Sequence, residues 1–465
     1  MSATSEGSPR ESLWFESALL PDGWARRVRI TASHGNIRAV EAEVDPIKGE
    51  ERHAVGVPGL SNLHSHAFQR AIAGLTERRG PTADSFWTWR ELMYRFVERM
   101  DPDQLEAITA LAFAEMLEAG FTRVGEFHYL HQDKSGVPFA DPAELAVRIT
   151  AAAADTGIAL TLLPTFYAHG GFGALEPSAR QRRFVTDLER FGRIVESSRK
   201  AARRLAGSNV GIAPHSLRAV APEELPAVVA LAAGGPVHIH IAEQAREVEE
   251  CVAWCGRRPI ERLFEAITVD DRWCLVHATH ATAGELERIA AAGAVVGLCP
   301  ITEASLGDGI FAAVEFRSRG GRFGVGTDSN VLLDAGAELR ALEYSQRLTR
   351  QVRNALAGES GHSTGRSLFD AALAGGAQAL LGASARAHVG LVADAPLDLV
   401  SLDAGHAALI ERREDEILDS WIFAAGREVI DCVWRGGEKL VTGGRHRRRE
   451  ALLARYRRAM KTLLA

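Results

Sequence analysis

Between Val55 and Asp328 the chain alternates short apolar runs with longer segments rich in Ala, Leu, Glu and Arg. The runs VGVPGLSNL, TRVGEF, IALTLLPT, NVGIAP, PVHIHIA, WCLVH, AVVGLC and RFGVG carry the β-branched and aromatic residues of buried strands. The segments between them, such as LEAITALAFAEMLEAG and AGELERIAAAG, have helical periodicity and close on a Gly, which stops a helix. Strands alternating with helices predict an α/β chain, and eight of them favour a (β/α)8 TIM-type barrel over an open sheet. The ends follow another period. Residues 12–57 and 386–441 read as short alternating strands separated by turns. The expected organisation is therefore a barrel over 58–385 flanked by the two parts of one small composite β-sandwich domain, residues 1–57 and 386–465. The tail RHRRREALLARYRRAMKTLL reads as a closing amphipathic helix with a solvated basic face.

Composition narrows the class of partner. The 465 residues hold 54 basic and 60 acidic side chains, a net charge of −6, so no bulk attraction to nucleic acid is expected. No apolar run is long enough to span a membrane. The N-terminus, MSATSEGSPRESLWF, lacks the basic start and apolar stretch of a secretion signal. Five cysteines without framework spacing fit a reducing compartment, and the expected location is cytoplasmic.

The candidate chemistry lies at the ends of the predicted strands. In PGLSNLHSHAFQRA, His64 and His66 close the first apolar run. Residues i and i+2 of a strand share a face, so the two imidazoles aim together, as chelation of one metal requires. PVHIHIAEQ places His238 and His240 on the fifth run with Glu243 beyond it, WCLVH ends on His277, and GVGTDSN puts Asp328 after the eighth. Function in such barrels sits at the C-terminal strand ends. Histidines and a carboxylate converging there describe a site for one ion, zinc first and Fe2+ as the alternative.

The order His-x-His, His-x-x-Glu, His and Asp after strands one, five, six and eight resembles the amidohydrolase superfamily. No lysine closes NVGIAPHS, which points to its mononuclear, cytosine-deaminase-like branch. Within that branch the segments NLHSHAFQRA, DSFWTWRELMYR, EFHYLH, APHSLRAV and HIAEQ are similar to enzymes that hydrolyse N-formimino-L-glutamate to N-formyl-L-glutamate and ammonia in histidine degradation. The resemblance implies metal ligands His64, His66, His240 and Asp328. It also implies catalytic roles for Glu243 as proton shuttle, His277 as the group orienting the reacting centre, and Asp328; His238 has no ligand counterpart and is expected to be structural. A small acidic amidine with two carboxylates calls for arginines, and Arg90 and Arg218 sit beyond strand ends where they can serve. Gln69, Tyr129 and His215 are the expected hydrogen-bond partners, while Trp87 and Trp89 are expected to pack the long first loop. The resemblance implies a homodimer. The other chemistry the scaffold admits is an aminohydrolase of a cyclic amidine such as guanine or cytosine, which two buried arginines disfavour.

Overall fold

The computed structural model describes residues 11–80, 84–382 and 389–465. The expected barrel–sheet boundary at 385/386 and the first ten residues lie outside the described residues. Strands β1 (Glu11–Leu20), β2 (Gly23–Ser33), β3 (Asn36–Glu41) and β4 (Glu51–Pro58) come from the N-terminal part. Their C-terminal partners, numbered after the intervening parallel strands, complete one hydrogen-bonded sheet built from both ends of the chain. Leu13, Phe15, Val28, Ile30, Leu399 and Trp434 bury a core of their own against it. The expected sandwich is not shown: the eight terminal strands form one continuous hydrogen-bonded sheet. Alternation reports that one face is buried and is silent on what covers it.

The run VGVPGLSNL does not form one strand. It breaks at Gly59, where a Cβ would lie 2.2 Å from Thr122 Cγ2. This close approach lets the chain leave the terminal sheet and begin β5 (Leu60–Ser65). Next come β6 (Phe121–His128), β7 (Ala159–Phe166), β8 (Asn209–Val210), β9 (Ala213–Pro214), β10 (Val237–Ile241), β11 (Trp273–His277), β12 (Val295–Leu298) and β13 (Arg322–Val325). All eight apolar runs of the sequence thus carry strand. The terminal sheet is completed by β14 (Leu399–Leu402), β15 (Ile430–Arg435), β16 (Glu438–Thr442) and β17 (Arg445–His446).

The parallel strands form two sheets, β5–β6–β7–β8 with β9 on β7, and β10–β11–β12–β13. Continuous ladders do not run all the way round, as the expected ring requires. The sheets meet through single parallel bridges, Ser65↔Asp328 at one seam and Ile212↔Val237 at the other. Both interruptions have local causes. At the second seam β8 and β9 are two residues each, and at the first the backbone turns aside to present side chains, with Asp328 at φ 44°. Strands such as VHIHI and WCLVH are buried on both faces, as parallel strands between helices must be.

The long first connection holds a 3-10 turn, Ala67–Ile72, and helix α1 (Phe86–Val97), before helix α2 (Pro102–Glu118). Ser85 and Thr88 cap α1 reciprocally, and Asp101 and Gln104 cap α2 the same way. The basic C-terminal helix, Arg449–Leu463, is less solvated than its sequence implied. Arg449 pairs with Glu115 and Glu118, and Arg455 with Glu106 and Asp155. Among the described residues no helix is long and apolar enough to cross a membrane, and the five cysteines are free.

Candidate active site

His64 lies in β5, His66 just beyond it, His240 in β10 and Asp328 three residues past β13. Their ligand atoms fall within 4.8 Å of one another. Nε2 of His64 is 3.2 Å from Nε2 of His66 and 3.1 Å from Nε2 of His240. Asp328 Oδ1 lies 3.4 Å from His64 Nε2 and 3.3 Å from His66 Nε2.

The backbone holds this cluster together across the first seam. His66 N donates to Asp328 O (2.9 Å) and Asp328 N to His64 O (3.0 Å). The buried amide of Asn330 donates to Asp328 O, His66 O and Ser65 Oγ. Gly326 permits the approach, because a Cβ there would stand 2.7 Å from His64 O. Non-glycine residues at positive φ store strain at functional sites, and both His277 (φ 69°) and Asp328 are of this kind.

These four groups fit a metal ion. His66 Nδ1 is 2.8 Å from Phe127 O and His240 Nδ1 is 3.1 Å from His215 O, so each ring donates there and leaves Nε2 bare. Two lone pairs and a carboxylate oxygen then surround His64 Nε2, which can carry one proton at most. A cation satisfies all four acceptors. Metal–nitrogen bonds of ~2.0–2.1 Å in a tetrahedron put ligand atoms ~3.3 Å apart, which matches the observed separations. Burial pushes His64 down to about 3 and holds His66 and His240 below their ordinary range. The rings are therefore neutral near pH 7, as ligation requires.

Beside this set lie Glu243, expected to shuttle the proton, and His277, expected to orient the reacting centre. His277 Nε2 is 3.8 Å from Glu243 Oε1 and 3.8 Å from Asp328 Oδ2. Burial would lower His277, but Glu243, the bond to Glu303 and Asp328 outweigh it and lift it to about 10. Burial pushes the Glu243 carboxyl upward against the pull of His277 and Arg218. Burial also works to raise Asp328, yet its bond to His64 and the nearby His66 and His277 hold it well below the usual carboxylate range. Arg218 Nη2 stands 3.8 Å from Glu243 Oε2.

A cavity of about 440 Å³ opens from these groups. It is lined by every expected substrate-binding residue: Gln69, Arg90, Tyr129, His215 and Arg218. Gln69 Nε2 donates to Tyr129 Oη (2.9 Å), leaving the phenol proton free for another acceptor. The Nε atoms of Arg90 and Arg218 are buried without a hydrogen-bond partner among the described residues.

Two tryptophans depart from the expectation. Trp87 and Trp89 line the cavity instead of only packing the loop. The Arg90 guanidinium lies 4.6 Å from the Trp87 ring centroid and 5.5 Å from that of Tyr94. Sequence reasoning also missed Glu303, which binds His277, and Arg246, which lines the cavity. The unassigned histidines bond elsewhere: His131 to Thr165 O, His169 to Glu224 and His280 to Asp308 O. His128 packs edge-on against His131. His238, expected to be structural, donates Nε2–H to Ala379 O (2.9 Å).

Parallel strands bearing such a His/Asp cluster at their ends define a class of hydrolase scaffold, and the chain belongs to the amidohydrolase family, whose model matches residues 55–439. Residues 13–54 match a second model, described as formimidoylglutamate deiminase HutF, N-terminal domain. Over 439 residues the chain is 49% identical to the formimidoylglutamate deiminase of Pseudomonas aeruginosa, covering 94% of this chain and 95% of that one. Among solved structures, an amidohydrolase from Brucella melitensis matches with TM-score 0.94 at 51% identity, over 98% of this chain and 100% of that one. An adenosine deaminase from Xanthomonas campestris, solved with bound zinc, shares the fold at TM-score 0.80 and 23% identity, over 98% and 100% of the two chains.

Proposed function

We propose that this chain is a metal-dependent deiminase that hydrolyses N-formimino-L-glutamate to N-formyl-L-glutamate and ammonia, a step of histidine degradation. One observation carries the substrate: the cavity beside the His/Asp cluster presents Arg90 and Arg218, cations suited to a substrate with two carboxylates. The relationship to formimidoylglutamate deiminase over nearly the whole chain supports the same reading.

His64, His66, His240 and Asp328 would hold one divalent ion, zinc before iron given three imidazoles and one carboxylate. Such an ion lowers the pKa of bound water from 15.7 to about 7. Water adds to the formimino carbon, and the C–N bond to the terminal nitrogen breaks. Glu243 passes the proton that water loses on addition to the formimino nitrogen, then carries the hydroxyl proton of the adduct to the same nitrogen, which leaves as ammonia as the formyl C=O forms. Burial favours the protonated form of Glu243 that this second step uses. His277 donates toward the tetrahedral centre and keeps its orientation through Glu303. Arg90 and Arg218 bind the carboxylates, with Gln69, Tyr129 and His215 completing the polar wall.

The bridges at both seams support reading β5–β13 as a closed (β/α)8 barrel spanning 58–385, with 1–57 and 386–465 as the composite β-domain. The working form is a cytoplasmic homodimer. The deciding experiment measures ammonia release from N-formimino-L-glutamate, guanine and cytosine by the zinc-loaded protein and identifies the product. N-formylglutamate is expected. Release of formamide and glutamate, or activity confined to a nucleobase, overturns the reading.

A further inference from the structure

We infer that Arg246 is a specificity-determining residue, placed at the cavity mouth over the Trp87 indole to draw in the outer carboxylate of the substrate. The inference rests on the proposed function. Three guanidinium groups gather on one ring: Arg246 at 4.5 Å from the Trp87 centroid, Arg90 at 4.6 Å and Arg218 at 5.6 Å. They come from three separate stretches of chain; Glu243 stands against Arg218 and Glu250 against Arg246, while Arg90 meets the rings of Trp87 and Tyr94.

Their exposure is graded. The Arg218 side chain is 11% exposed and stands against Glu243, whereas that of Arg246 is 58% exposed and paired with Glu250 one helical turn away (2.6 Å). An exposed pair of this kind is weak and yields readily to a better anion. Arg246 also sits in the first turn of the helix Ala245–Cys255, where the backbone dipole disfavours a cation. The (i, i+4) pair with Glu250 offsets that cost within the helix, but it does not explain the approach of Trp87 and the other two guanidinium groups, which an anion at the mouth does. Glu243 lies three residues earlier, so one short stretch sets both the proton-carrying group and the outer cation.

The test compares wild type, Arg246→Ala and Arg246→Lys on N-formimino-L-glutamate and on N-formiminoglycine, which keeps the amidine but has one carboxylate. At low ionic strength Arg246→Ala should lower kcat/KM for the dianion about tenfold, the low end of electrostatic steering, mostly through KM. The loss for the monoanion should be clearly smaller, the salt dependence of kcat/KM should flatten, and Lys should recover most of the effect. Equal losses on the two substrates, or none on the dianion, would refute the role of Arg246. Wild-type protein inactive on both substrates would instead overturn the functional reading, and this inference with it.

Discussion

His277 donates its Nδ1–H to Oε1 of Glu303 across 3.1 Å, and the same oxygen accepts from the Cys299 amide (2.9 Å). The imidazole is thus fixed in plane, with Nε2 turned toward Glu243 and Asp328. Partners of this kind are worth about 10–100-fold in activity. Glu303→Gln should lower kcat within that range while metal content and KM change little. Because Glu303 helps keep His277 protonated, the alkaline limb of the pH–rate profile should move to lower pH. An unchanged profile with unchanged kcat would show that the contact is only architectural.

Glu243→Gln should retain the metal, since Glu243 is outside the ligand cluster, and lose about 10²–10⁴-fold in turnover. Elemental analysis beside steady-state kinetics checks both halves. A variant with near-wild-type turnover would remove Glu243 from the proton path.

Arg218 touches both substrate space and Glu243, so its removal should not act on binding alone. Arg218→Ala is expected to raise KM at least tenfold and also lower kcat severalfold. Arg90→Ala, whose guanidinium stacks on Trp87 and Tyr94, should act through KM with kcat nearly constant. Kinetic constants for the two variants side by side make the comparison.

Stability should fall in mild acid. Burial pushes both His131 and His238 down to about 4, against an unfolded value near 6.5. A depressed histidine binds its proton in the unfolded chain first. Each therefore removes about 1.4 kcal/mol of stability per pH unit as pH drops from ~6.5 to ~4, and nothing above that window. His277, lifted to about 10, contributes with the opposite sign and weakens the fold only as pH rises from ~6.5 toward 10. Denaturant unfolding at a series of pH values reads both slopes, and a flat profile between pH 6.5 and 5 would contradict the first.

Much of this arrangement was legible from spacing. Strand periodicity located the eight parallel runs, and i, i+2 geometry placed His64 with His66 and His240 at strand ends. What stayed hidden lies on helices and at seams. Arg246 and Glu250 are four residues apart and look like any exposed helix pair, so only the approach of Trp87 from a segment some 160 residues away reveals their place. Glu303 reads as an ordinary first-turn acid of a short helix until His277 is seen beside it. Gly59 divides one apolar run between two sheets because of Thr122, a neighbour that local pattern cannot supply.

The seam between Ser65 and Asp328 also sets an order of events in the life of the chain. Two ligands of the cluster are made early, at positions 64 and 66, and the last only at position 328. A polypeptide still being synthesised can offer an ion an incomplete grip until more than two thirds of its length has been made. Loop closure over such distances carries its entropic cost before any bond at the site repays it. An ion bound at this cluster would meet its full set of donors only once residue 328 has joined residues 64 and 66.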